Sequence, residues 1–183
     1  VPSEHKNRFI SYELGLLTIK AALSTRDKEF TVYKETIKSH QRTPAKEAIR
    51  EVLDEIEIMY SPVLFPEDHA KHIENTAKKL TDKIGKYLKG DRFRIGITQK
   101  LINMHLKYLW CSNLISEPPH CPIDGIIRDK AKICDPSFSY DWIKSDCIEE
   151  YKSAVISLEN IAKKRGKSIA QWELHEFKRR NNN

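Results

Sequence analysis

The chain has 183 residues, enough for one domain with its own core and no need of disulfides or a structural metal. Hydrophobic residues make up 39% and charged residues 32%, which excludes a disordered chain; Lys and Arg outnumber Asp and Glu by 32 to 26, giving a net charge of +6. That excess is compatible with an anionic partner but does not demand one. No apolar run is long enough for a membrane span, and there is no secretory leader pattern. The cysteines, Cys111, Cys121, Cys134 and Cys147, form no CxxC pair, so they read as reduced thiols of a cytoplasmic protein. Zinc binding by Cys121 and His120 has little support from spacing, and no iron–sulfur cysteine cluster is present.

The predicted elements are helices throughout. Phe9, Tyr12, Leu16, Ile19 and Leu23 recur at helical spacing over residues 6–24. A second helix is expected over Asp27–Lys38, carrying Phe30, Tyr33 and Ile37. Pro44 suits the first turn of a third, with Ile49, Val52, Ile56 and Met59 as its buried stripe, broken at Ser61-Pro62 and Phe65-Pro66. The fourth spans about Glu67–Leu88 on Ile73, Ala77, Leu80, Ile84 and Leu88, and Gly90 closes it. After a basic segment bounded by Gly90 and Gly96 comes a largely apolar fifth helix, about Ile97–Cys111, expected at the centre of the core. A proline-rich loop, Ser116–Pro122, leads to a sixth helix at 125–134. A seventh, 146–164, would be capped by Asp146, and a last one by Ser168. The expectation is an all-α fold of about eight helices in two packed layers: one domain over 1–183, or two subdomains with a cleft between them, and the working segment at 86–134.

The chemistry-bearing stretch runs from Lys86 to Asp124. A tight glycine turn opening a helix presents backbone N–H groups to a phosphate, and Lys89, Arg92 and Arg94 add positive charge beside it. Taken alone, such a charge run is more often a solvated face. Lys100 lies near the start of the apolar helix, where loss of water would favour the neutral, nucleophilic amine. A lysine that snorkels to solvent is the ordinary alternative. Asp124 follows Pro122-Ile123 as a helix N-cap, and its carboxylate could also serve Lys100.

Gly96-Ile97-Thr98-Gln99-Lys100, the apolar helix behind it with Lys107 seven residues on, and Cys121-Pro122-Ile123-Asp124 together resemble the helix-hairpin-helix DNA glycosylases, most of all the archaeal 8-oxoguanine glycosylase branch. The resemblance covers about 35 residues, and of that family's Leu-Pro-Gly-(Val/Ile)-Gly hairpin only Gly96 stands here. It implies a helix-hairpin-helix-like element, Lys100 as nucleophile and Asp124 as its partner, with Lys89, Gly90, Arg92, Arg94 and Gly96 along double-stranded DNA. No organic cofactor is implied, while a monovalent cation at the hairpin is allowed. Such an enzyme would be cytoplasmic or nucleoid-associated and would act in repair or in defence against modified phage DNA. His120, Trp110 and Trp172, with Phe138 and Trp142, are the candidates for contacting an extruded base, though such aromatics are more often ordinary core residues and His120 is equally a loop histidine with no role. The competing reading is a non-enzymatic helical module that binds nucleic acid or a protein partner. A toxin-type ribonuclease lacks its Arg–His pairing, and Asp68-His69 lacks the further ligands of a phosphohydrolase.

Overall fold

The computed structural model describes residues 2–25, 29–60 and 68–178. Among these the chain forms seven α-helices and no strand: α1 (Pro2–Leu23), α2 (Thr43–Met59), α3 (His69–Ile84), α4 (Ile95–Cys111), α5 (Gly125–Cys134), α6 (Ile148–Lys163) and α7 (Ile169–Glu176). No described helix is long and apolar enough to cross a membrane.

The helices α3, α5 and α7 begin where the local sequence supplies a partner for the unpaired N–H groups of the first turn. Asp68 accepts from the Lys71 amide at 2.8 Å, and Asp124 accepts from Ile126 and Ile127. Ser168 and Gln171 form a reciprocal capping box. Pro44 lies in the first turn of α2, where its missing N–H costs nothing.

The helix α4 is the axis of the fold. Every residue from Ile95 to Lys107 is buried, and α1, α2, α3 and α6 pack around it. Ile97, Leu101, Ile102 and Leu106 meet α-helical stripes that include Ile49, Val52 and Ile56 of α2 and Ile73, Ala77, Leu80 and Ile84 of α3.

Four expectations are corrected. The helix expected at Asp27–Lys38 does not form over the described part, residues 29–38; only a short 3-10 turn, Ser39–Arg42, precedes α2. There the backbone pairs outside itself instead: Lys34 N–H donates to the Tyr87 carbonyl, Lys89 N–H donates to that of Val32, and Tyr33 bridges Leu88. Buried Val32 and Tyr33 gain more from this docking than from helical propensity. The fourth helix stops at Ile84 and continues as two 3-10 turns, Gly85–Tyr87 and Lys89–Asp91, with Gly90 at φ 71°, the left-handed region glycine enters without strain. Asp146 does not cap α6; it reaches across to accept from the Ile95 amide at 3.1 Å and so caps α4. Finally, Phe9, Tyr12 and Leu16 are exposed, as is Met59. The break expected at Ser61-Pro62 and Phe65-Pro66 lies outside the described residues.

Candidate active site

Polar side chains recur along one stripe of α4, at Gln99/Lys100, Asn103 and Lys107, a spacing that returns to the same helix face. All are buried. A buried polar group without a partner costs roughly 1–3 kcal/mol, so each must be satisfied inside the protein.

Gln99 is satisfied by the backbone of the proline loop. Its amide donates to the Ile123 carbonyl at 2.7 Å and to the Gly96 carbonyl at 3.1 Å, while its carbonyl oxygen accepts from the Ile123 N–H at 3.1 Å. This two-way bridge mimics a strand pairing and fixes Ile123 against the first turns of α4. Lys100 and Asp124 are the next residues on either side of it. One carboxylate oxygen of Asp124 caps α5, at 2.8 and 3.1 Å; the other has no hydrogen-bond partner among the described residues. The Lys100 residue is 6% exposed, and its amine lies 3.9 Å from the centroid of the Trp142 ring. A cation over an indole face is attracted by the ring quadrupole.

Gly96 makes that placement of Trp142 feasible. Its N–H donates to the Ser145 carbonyl at 2.9 Å, and a Cβ there would sit 1.9 Å from the Trp142 carbonyl oxygen. We expect Gly96→Ala to force the 142–145 segment outward, lowering stability by roughly 1–3 kcal/mol. A lower thermal midpoint with a red-shifted tryptophan emission would register it; an unchanged melting curve would contradict this packing.

Asn103 joins the loop to two other helices. Its amide donates to the Cys121 carbonyl and to the Tyr151 hydroxyl, each at 3.0 Å, and its oxygen takes the Nε2 proton of His69 at 2.7 Å. With Nε2 protonated, His69 Nδ1 accepts from the Tyr60 hydroxyl. Tyr151 passes the chain on by donating to His120 Nδ1 at 2.7 Å. With the protons placed this way both imidazoles are neutral. Burial drives the same way: it pulls His69 down to about 3, helped by His120 nearby, and His120 down to about 4.

A histidine depressed in the folded state stabilises fully above its unfolded value near 6.5 and loses that contribution as pH falls toward the folded value, at up to ~1.4 kcal/mol per pH unit. Two of the seven histidines should therefore keep neutral ring spectra down to pH 5 in an NMR titration. Ordinary titration of all seven near pH 6.5 would dissolve this network.

Lys107, farther along the stripe, forms a buried ion pair with Glu173 of α7 at 2.8 Å and lies 4.2 Å from the Phe177 ring centroid. Burial pushes the Glu173 carboxyl up to about 7 against the pull of Lys107, and the charge of Asp124 adds to the rise. Asp124, Lys107 and Glu173 also bear electrostatically on the fully buried Cys121 thiol, which burial pushes up. The pair and the aspartate thus share one neighbourhood.

The basic segment is more committed than its composition suggests. Lys89 donates to the Glu29 carbonyl, Arg92 pairs with Asp146, and Arg94 donates to the Phe30 and Thr31 carbonyls. The N–H groups of Ile95, Gly96, Ile97 and Thr98 are committed too, donating to the Asp146 carboxylate and to the Ser145 and Arg94 carbonyls. This helix start is a closed cap, and Gly96 is a packing glycine rather than an anion cradle.

The aromatic candidates also separate. Trp142 covers the lysine, Trp172 and Phe138 are buried in the core, and Trp110 is half-buried against it. His120 is half-exposed at the end of the hydrogen-bond chain. Among the described residues no three His, Cys, Asp or Glu side chains gather as a metal ion would require. Asn103, Tyr60, Tyr151 and Glu173 escaped the sequence reading, which took Gln99 only as part of the Gly96–Lys100 motif and His69 only as half of an incomplete Asp68-His69 ligand pair; the polar spacing along α4 was the signal for Gln99 and Asn103. No family model, curated protein or solved structure matches this chain.

Proposed function

We propose that this protein is a DNA glycosylase with associated lyase activity, in which Lys100 is the nucleophile and Asp124 its carboxylate partner. The observation that supports it most is the Gln99–Ile123 bridge, because Gln99 directly precedes the buried Lys100 and Ile123 directly precedes Asp124. In this reading α3, the 85–94 connection and α4 serve as the helix-hairpin-helix element, and a target nucleotide is turned out of the duplex into a cleft between helical layers.

Lys100, a cation against Trp142 at rest, gives its proton to solvent as the sugar enters, and the neutral amine attacks C1′ of the deoxyribose. The C1′–N bond breaks, its electrons leave with the base, and the base takes up a proton. Asp124 accepts the proton that the amine sheds and steadies the positive charge growing on the sugar. Sugar ring opening then gives a Schiff base, and β-elimination releases the 3′ phosphate. Because Lys100 is 6% exposed, the incoming sugar must displace Trp142 from the amine. Trp142 is then free to stack on the extruded base, with His120 at its edge. The duplex is held through exposed cations, among them Arg92, whose partner Asp146 is itself partly exposed.

The competing reading, a helical module that only binds, makes no covalent species. Incubation with duplexes carrying 8-oxoguanine or a modified cytosine, followed by borohydride reduction, separates the two. A protein–DNA adduct that needs Lys100 is expected; absence of both adduct and freed base across such duplexes would leave the binding module.

A further inference from the structure

The stripe Phe9, Tyr12, Leu16, Ile19 and Leu23 has the spacing of a buried helix face, yet Phe9 is 65% exposed, Tyr12 49% and Leu16 45%. Large apolar side chains repeated along one face of a surface helix mark an interaction site more often than chance exposure does. The inner part of this stripe forms one wall of a groove of ≈ 490 Å³ between α1 and α2. The facing wall is basic: Arg42 at the N-cap of α2 and Lys46 and Arg50 within it stand four residues apart, with Arg50 also paired to Asp54, and Lys20 adds a cation from α1, against the single lining acid Glu47. Arg50 is stacked on Tyr12 and Arg42 on Tyr33, each guanidinium carbon 4.6 Å from the ring centroid. Lys20 and Lys46 have no ion-pair partner among the described residues and stand at the rim.

We propose that this groove docks an acidic amphipathic helix of a protein partner. An apolar wall of about three turns beside a basic wall of about two matches a helix that carries leucine-like residues at i, i+4 and i+7 and acidic residues on one flank. A second copy of this chain is disfavoured, because a two-fold contact sets the same surface against itself and would bring the cations of both copies together. A duplex offers phosphate to the basic wall but nothing to the apolar one. A bilayer surface prefers a convex apolar face to a groove between helices. The proposal is independent of any chemistry at Lys100.

The test uses the full chain and a fluorescein-labelled helical peptide of about 18 residues, with leucine at i, i+4, i+7 and i+11 and glutamate on the flanks. A second peptide replaces every glutamate with lysine. Anisotropy titrations should show saturable, salt-sensitive binding of the acidic peptide, none of the basic one, and about tenfold or greater weakening in the Lys20→Glu/Lys46→Glu variant and in Leu16→Glu. Circular dichroism of both variants should match the parent. Equal binding of the two peptides, no binding of the acidic one, or indifference to both variants overturns the proposal. So does a concentration-dependent dimer in sedimentation that Leu16→Glu abolishes, or binding to phosphatidylserine vesicles without binding to the peptide.

Discussion

Lys100→Gln should abolish the borohydride-trapped adduct and reduce base release by roughly a thousandfold or more, while duplex affinity changes little. Glutamine keeps a polar end on a shorter stem but has no nucleophilic amine. Its side chain is no cation, so it surrenders the attraction to Trp142, which costs roughly 0.5–2 kcal/mol and leaves the fold intact. Asp124→Asn is the sharper companion. Asparagine caps a helix about as well as aspartate, so the bonds to Ile126 and Ile127 persist and stability should shift by less than about 0.5 kcal/mol. The carboxylate is nonetheless gone. If base release falls sharply in a variant that melts like the parent, the charge serves chemistry; if release is unchanged, Asp124 is a cap and nothing more. Lys100→Gln with undiminished base release would end the glycosylase reading altogether.

The helices and the segment carrying Lys100 and Asp124 were legible because both rest on local rules. Apolar spacing marked α2 through α7 to within a few residues, and Asp124 after Pro122-Ile123 had the form of a cap. Other features were set by distant residues. Asp146 caps α4 rather than its own helix, because the 142–145 segment folds over Gly96 and carries the carboxylate to Ile95. The basic run at 89–94 looked available for phosphate, yet its partners Glu29, Phe30, Thr31 and Asp146 are more than 50 residues away in sequence. Tyr33 sits in a segment with helical spacing, but one buried docking against Leu88 outweighs a weak local preference. Single-residue polar positions such as Asn103 had a visible period but no visible partner; His69, Tyr151 and Cys121 come to it from three separate segments.

The Lys107–Glu173 pair carries the largest expected effect on stability. Lys107→Met leaves Glu173, 1% exposed, without its counter-charge, and breaking a buried pair from one side costs roughly 3–5 kcal/mol. The pH dependence follows from the direction of the shift. The folded carboxyl titrates at about 7, above its unfolded value near 4.3, so folded protein holds the proton more tightly. That contribution is complete below the unfolded value and is lost as pH rises through about 7. Removing Lys107 removes the one strong opposing charge, so Glu173 should stay protonated to higher pH. Urea unfolding should then show a modest deficit for Lys107→Met at pH 6 and a much larger one at pH 8. Replacing both partners, Lys107→Met with Glu173→Leu, should recover most of the loss at pH 8, since an apolar pair of similar size owes no desolvation. A double variant as unstable as the single would mean that the pair is not what holds α7 to α4.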